Sequence, residues 1–144
     1  NGRKMFSGAA CFACHRFGDA GGITGPDLTG AGGRYSPHDF LDQIINPSKV
    51  ISDQFAPIVV TKNDGETITG VIVNLGGTGI VINTDLSDPN QRIRVDRKQV
   101  KSIELSKVSP MPPMLLMMLK ENEILDLVAY VLSGGDKSNE MFKK

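Results

Sequence analysis

The chain has 144 residues, with 16 basic and 16 acidic side chains and no formal net charge. This balance argues against a nucleic-acid-binding protein, which would need a basic surface, and against strong attraction to anionic lipid. The longest largely apolar stretch, residues 108–119, is interrupted by prolines and is shorter than the ~20 residues that span a bilayer. Because Asn1 begins the chain without a signal-peptide pattern, we expect either a removed signal or an excised segment.

The first third of the chain is expected to contain helix and loop. Apolar side chains at helical spacing predict a helix over residues 2–17. Residues 18–33 are rich in glycine, which predicts a loop without regular structure. Ser36, followed by proline and then by Asp39, is typical of a helix N-terminus. That helix is expected to end before Pro47.

From about residue 55 the apolar period changes to two, which predicts β-strands. Asn63-Asp64-Gly65 predicts a hairpin turn, and residues 76–79 predict a second turn. The predicted strands are residues 57–62, 66–74, 80–84, 92–95 and 100–105. Such closely spaced strands favour an antiparallel meander or a small barrel. A last helix is predicted over residues 121–133, ended by two glycines.

The segment Cys11-Phe12-Ala13-Cys14-His15 has the spacing of a covalent haem attachment motif. Two cysteines three positions apart lie on one helix face, where their sulfurs match two vinyl groups on one porphyrin edge. The histidine that follows can bind the iron. A structural zinc site needs four ligands, and only His38 and carboxylates remain. Thiol–disulfide exchange would favour a βαβ setting, so the motif indicates one covalently bound haem c.

Together with this motif, Gly2, Phe6 and the Gly-Pro-Asp-Leu run at residues 25–28 resemble a class I cytochrome c. In that family, the glycine and the aromatic residue of the first helix cross the last helix, where Tyr130 occupies the matching aromatic position. The family's proline, matched here by Pro26, accepts a hydrogen bond from the proximal histidine through its carbonyl. The resemblance therefore implies that Pro26 fixes the tautomer of that histidine.

A closer resemblance is to the bacterial haem-binding domain first described in planctomycetes and verrucomicrobia. It has the Ala-Ala-Cys start, Gly-Pro-Asp-Leu-Thr-Gly, Asn-Pro-Ser-Lys, a β insertion with an Asp-Gly hairpin, Ser-Pro-Met-Pro and a closing Gly-Gly-Asp. The likeness runs from residue 2 to about residue 142. It departs before the last helix, where that family has Thr or Ser and this chain has Lys120. Asn122 could cap the helix instead, starting it two residues later.

An iron bound by His15 needs a second axial ligand or keeps an open site. The resemblance assigns Met111, because the family's ligand precedes a proline, and the surrounding prolines stiffen this segment. A thioether favours ferrous iron and raises the reduction potential. Met114 is the alternative if the loop shifts by one turn. Met117 and Met118 are expected to be flexible core filler around the haem rim.

Two other features of the sequence concern the surface. His38 lies at the second position of a capped helix, so we expect it to face solvent and not to bind iron. A basic run comprises Arg92, Arg94, Arg97, Lys98 and Lys101. This run predicts either a positive surface that steers an acidic redox partner or the solvated face and guarded edge of a sheet.

The sequence as a whole predicts a mainly α cytochrome c fold with an inserted small antiparallel β meander or barrel, α+β overall. Residues 1–144 are expected to form one cytochrome c domain, with the β insertion at residues 55–105. The expected function is single-electron transfer between redox protein partners, in the periplasm or another exported location, without enzymatic activity. Two alternatives stay open: a haem enzyme or sensor with an open or displaceable sixth site, and the C-terminal module of a larger dehydrogenase.

Overall fold

The computed structural model describes residues 1–143, which lie in two compact units. The first unit contains residues 1–50 and the described residues from 111 onward, and the second contains residues 51–110. The helices and strands are, in chain order, α1 (Gly2–Gly8), α2 (Cys11–Cys14), β1 (Arg16–Phe17), β2 (Ala20–Gly21), α3 (Pro37–Ile45), β3 (Ile58–Lys62), β4 (Thr67–Asn74), β5 (Gly79–Asn83), β6 (Arg92–Asp96), β7 (Val100–Leu105) and α4 (Glu121–Leu132). Short 3₁₀ helices lie at Ala31–Gly33, Arg97–Gln99 and Glu140–Phe142. Within residues 1–143 no helix combines the length and the apolarity that crossing a membrane requires.

The prediction of a mainly α fold is wrong. Helices make up 29% of the chain and strands 23%, and the strands include a five-stranded antiparallel sheet. The helix predicted over residues 2–17 is interrupted at Ala10, whose φ of 58° lies in the left-handed region, and it resumes only as the four-residue α2. Residues 113–118 form turns. The second unit adds strands and a single 3₁₀ turn among its residues, so helix does not dominate.

The core of the first unit is built where α1 crosses α4. A Cβ on Gly2 would lie 2.1 Å from the backbone oxygen of Asp126 and 2.4 Å from Tyr130 Cβ, so only glycine allows this approach. Phe6 is 1% exposed, and its ring centroid lies 5.9 Å from that of Tyr130. This is the helix crossing that the cytochrome resemblance implies. The buried cluster is Phe6, Ala9, Phe17, Ala31, Phe40, Ile44, Leu127, Val128, Val131 and Leu132.

The two longer helices begin with different caps. The Ser36 hydroxyl accepts a hydrogen bond from the Asp39 amide at 3.1 Å and donates one to the Asp39 carboxylate at 2.7 Å, so the predicted N-terminus of α3 is confirmed. Helix α4 begins directly after Lys120, whose amide donates to the Glu123 carboxylate at 2.8 Å. The alternative start with Asn122 as the cap is wrong, because α4 already begins at Glu121 and Asn122 lies within its first turn.

The second unit is an antiparallel sheet with the strand order β6-β5-β4-β3-β7. The predicted strands are confirmed to within one residue at each end. Gly65 takes a φ of 89° in the hairpin between β3 and β4, as the Asn-Asp-Gly turn predicts. The chain passes from β6 to β7, the two edges of the sheet, through the 3₁₀ turn Arg97–Gln99. The buried side chains of this unit are Val60, Ile68, Ile80, Ile82 and Val95.

The five basic residues of the run 92–101 are all exposed and lie on β6, on β7 or on the turn between them. Arg92 Nε donates to the Pro89 carbonyl at 2.7 Å, and Arg97 donates to the Leu75 carbonyl at 2.5 Å. Because β6 and β7 form the sheet edges and two of these side chains bind nearby backbone, this geometry favours the interpretation of a solvated, guarded edge.

Candidate functional site

The loop after His15 folds back along the cysteine-containing helix α2. Strands β1 and β2 form a short hairpin at Gly18, whose φ is 63°. Beyond the hairpin, three loop amides bind the backbone of residues 12–16: Gly22 N donates to Phe12 O at 2.9 Å, Gly25 N to Cys14 O at 2.8 Å, and Leu28 N to Arg16 O at 2.9 Å. The glycine-rich segment is therefore an ordered strap over the attachment motif, with short regular elements that the sequence did not predict.

The glycines of this strap allow very close contact with the motif. A Cβ on Gly22 would lie 2.3 Å from the backbone oxygen of Ala13. A Cβ on Gly25 would lie 2.8 Å from Cε1, 3.0 Å from Nδ1 and 3.2 Å from Nε2 of His15. The bare Cα of Gly25 therefore packs directly against the imidazole ring. The sequence did not predict this contact of Gly25 with His15. The only signal for it is the position of Gly25 directly before Pro26.

His15 is joined to Pro26 by a hydrogen bond between Nδ1 and the Pro26 carbonyl oxygen at 2.7 Å. A carbonyl oxygen can only accept, so Nδ1 carries the proton and donates it. In the neutral ring, the lone pair then lies on Nε2, the nitrogen on the opposite side. The histidine is thus held in the tautomer that presents Nε2 as a metal ligand.

Polar contacts around Asp27 hold the strap in place. The Asp27 carboxylate accepts from the Thr29 amide at 2.8 Å and from the Thr29 hydroxyl at 2.5 Å. The same hydroxyl oxygen accepts from the Gly18 amide at 2.9 Å, and Arg34 donates to the Asp27 carbonyl at 2.6 Å. The hydrogen bond from the Thr29 hydroxyl, followed by that from the amide, lowers the pKa of Asp27. The residue next to Pro26 is therefore bound on both its side chain and its backbone.

The two cysteines form no disulfide and are both partly buried. Burial raises the pKa of the Cys11 thiol from 9.0 to about 11, and the hydrogen bond at its backbone opposes this effect. Disulfide exchange uses a thiolate and therefore favours a lowered pKa, so the raised pKa of the partly buried Cys11 disfavours that alternative. Among the described residues, no group of three or more His, Cys, Asp or Glu side chains is placed to hold a metal ion.

Thr24 is a further feature of the strap that sequence reasoning missed. Its hydroxyl oxygen is buried and has no hydrogen-bond partner within residues 1–143. A buried hydroxyl without a partner is costly, so it favours an additional polar group nearby. Together with two thiols and the Nε2 lone pair of His15, this donor set fits a covalently attached haem.

The methionines of the segment after residue 110 differ strongly in exposure. Met111 is partly buried and packs against the hydrophobic cluster of the first unit. The attachment motif lies in the same unit. Met114 is 66% exposed, Met117 73% and Met118 92%. The expectation that Met117 and Met118 are core filler is therefore wrong, because their turn directs both side chains to the surface. His38 has a side chain that is 90% exposed, as expected.

A comparison with known protein families gives an independent result for this site. The family model for cytochrome c matches residues 1–69, slightly less than half of the chain. The matched segment includes Cys11, Cys14, His15 and Pro26. The match supports a c-type cytochrome that binds haem and transfers electrons. It implies covalently bound haem c, for which Cys11 and Cys14 fit the attachment motif. No curated protein matches the chain significantly.

Proposed function

We propose that this chain is a monohaem c-type cytochrome that carries single electrons between redox protein partners. The observation that carries the proposal is the 2.7 Å hydrogen bond from His15 Nδ1 to the Pro26 carbonyl. His15 directly follows the second of the two cysteines. A ligand held in this way binds through Nε2 with a fixed ring orientation and raised basicity. Bound haem would supply an iron that gains and loses one electron.

The chain's own residues divide the work of holding this group. Cys11 and Cys14 provide the two covalent attachments, and His15 is the proximal ligand. Pro26 orients the ring through its carbonyl, while Gly25 closes the space beside the ring, so that the imidazole cannot tilt toward the strap. A site that is rigid before and after electron transfer suits a carrier, because little has to reorganise when the charge changes.

Met111 is proposed as the distal ligand. Its thioether is soft and neutral, and its partly buried position in the first unit places it with the same hydrophobic cluster as Phe6 and Phe12 near the motif. Pro112 and Pro113 fix two backbone φ angles directly after it, which limits the entropy lost when a weak ligand is held. Met114 is the weaker candidate, because 66% of its side chain faces solvent.

We further propose that residues 55–105 are an insertion within a single cytochrome c domain of residues 1–144. This is supported by the chain path, since the first unit is made of two separate segments and the second of one continuous segment. The motifs that resemble the planctomycete and verrucomicrobial haem-binding domain support that subtype. We also propose a periplasmic or exported location and an electron carrier without enzymatic activity, because cytochromes c are typically exported electron carriers.

The experiment compares visible spectra of the purified ferric and ferrous holoprotein in three forms: wild type, Met111→Ala and, as a matched control, Met114→Ala. We expect a methionine-to-iron charge-transfer band in the ferric wild type, its loss in Met111→Ala and its retention in Met114→Ala. Loss of the band only in Met114→Ala would transfer the ligand role to that residue. A wild type without the band would overturn methionine ligation altogether, and haem lost in denaturing electrophoresis would overturn covalent attachment.

A further inference from the structure

Three methionines project from the turn segment that follows the proposed ligand. Met114, Met117 and Met118, here called the methionine surface, are 66%, 73% and 92% exposed. The turn is closed by a hydrogen bond from the Met117 amide to the Met114 carbonyl at 3.2 Å. The leucines between and after them, Leu116 and Leu119, pack against the core. The segment therefore divides its side chains, with leucine directed inward and methionine outward.

Exposure of a single apolar side chain needs no explanation, but the outward positions here share one chemical property. Each carries a thioether sulfur with lone pairs that react with two-electron oxidants, which leucine does not have. The sulfur attacks the oxygen of hypochlorous acid, a sulfur–oxygen bond forms, the oxygen–chlorine bond breaks, and chloride and a proton leave. The thioether is oxidised to sulfoxide, and the oxidant is reduced by two electrons.

The other methionines provide an internal comparison within the same chain. Met111 and Met5 are partly buried against the core of the first unit, and Met141 is 49% exposed. Access of the oxidant to sulfur follows exposure, so the methionine surface should react first, Met141 next, and the two partly buried residues last. In addition, a sulfur that is bound to iron has one lone pair engaged.

We propose that Met114, Met117 and Met118 form a methionine sulfoxide modification site that reacts with hypochlorous acid or peroxide ahead of Met111. The order of reaction rests on exposure, and iron binding by Met111 would add to it. Its significance for the haem centre, namely that limited oxidation leaves the distal ligand intact, rests on the proposed function. The site lies on the ligand segment itself, so an oxidant that approaches this part of the surface meets three exposed sulfurs before the partly buried one.

The test treats the holoprotein with less than one molar equivalent of hypochlorous acid and quantifies sulfoxide at each methionine by peptide fragmentation mass spectrometry. We expect Met117 and Met118 to be oxidised at least about fivefold more than Met111. The extent of oxidation of Met141 should lie between that of Met118 and that of Met111. Equal oxidation of Met111 and Met118, or resistance of all three residues of the methionine surface, would overturn the proposal. In denaturing urea the order should disappear, and an order that persists there would show that the fold does not cause it.

A triple variant, Met114→Leu, Met117→Leu and Met118→Leu, keeps the side-chain volume and removes the three sulfurs. With limiting oxidant we expect the sulfoxide fraction at Met111 to rise severalfold, and an unchanged fraction would contradict a protective effect. The ligand role of Met111 is read separately, from the charge-transfer band of its own alanine variant. A failure of the oxidation order and a failure of the ligand assignment are therefore distinguishable.

Discussion

Gly25→Ala is expected to displace the His15 ring and lower stability substantially. The added methyl carbon would lie 2.8 Å from Cε1, 3.0 Å from Nδ1 and 3.2 Å from Nε2, whereas unstrained contacts between carbon atoms are about 3.5–4.0 Å. The ring cannot move away without straining the 2.7 Å hydrogen bond to Pro26. Overpacking costs about 1–3 kcal/mol and a lost hydrogen bond about 0.5–1.5 kcal/mol, giving roughly 2–4 kcal/mol together.

For a chain of this size, that loss lowers Tm by roughly 8–16 °C. The assay is thermal unfolding followed by far-ultraviolet circular dichroism, with Gly30→Ala as the matched control. Gly30 lies in the same region with a φ of −101°, and a Cβ there would meet nothing within 4 Å. The control should therefore unfold at the wild-type temperature or slightly above it. If Gly25→Ala unfolds together with Gly30→Ala, the close packing of this glycine against the ring is refuted.

Three further predictions about the fold around the site are tested by urea unfolding. Gly2→Ala should lower the free energy of unfolding by about 1–3 kcal/mol, because its methyl group meets the backbone of α4. Gly8→Ala has open space around its Cβ and should not destabilise the protein, so equal effects of the two variants would contradict the helix crossing. Leu127 is 1% exposed, so Leu127→Ala should lower the free energy of unfolding by about 2–5 kcal/mol. Leu125 on the same helix is 60% exposed, so Leu125→Ala should lower it by less than about 1 kcal/mol, and the reverse order would refute the buried face of α4. Asp27 has a lowered pKa through hydrogen bonds from the threonine two residues on, so its stabilising effect is present above the unfolded value of about 3.9 and is lost as pH falls through the folded pKa. Wild-type stability should therefore fall more steeply between pH 7 and pH 3 than that of Asp27→Asn, and parallel profiles would contradict this role.

The features that could be predicted from the sequence depend on local chemistry. The Asn63-Asp64-Gly65 turn needs a positive φ at Gly65, and the flanking residues alternate with period two, so the hairpin is specified within a few positions. Ser36 and Asp39 likewise form a cap from neighbouring residues. The attachment motif is also local, which is why two cysteines and His15 could be assigned without a structure.

The features that could not be predicted depend on packing between distant segments. Ala10 takes a left-handed φ of 58°, which is unfavourable for alanine and has no local sequence signal. The contacts of Gly2 with α4 and of Gly25 with the His15 ring require the folded chain. Met118 lies among leucines, and sequence hydrophobicity does not distinguish an inward leucine from an outward methionine. The helix content was overestimated because one long helix was predicted over residues 2–17, where the chain forms two short ones.

The proposed electron-carrier function requires that both His15 and Met111 bind the haem iron. Carbon monoxide binding to the reduced wild-type holoprotein tests this requirement, because an iron bound by both residues would offer no open position. We expect the ferrous spectrum to stay unchanged when carbon monoxide is added at neutral pH. Rapid formation of a carbon monoxide complex would contradict it and would indicate a haem enzyme or gas sensor with an open or displaceable sixth site.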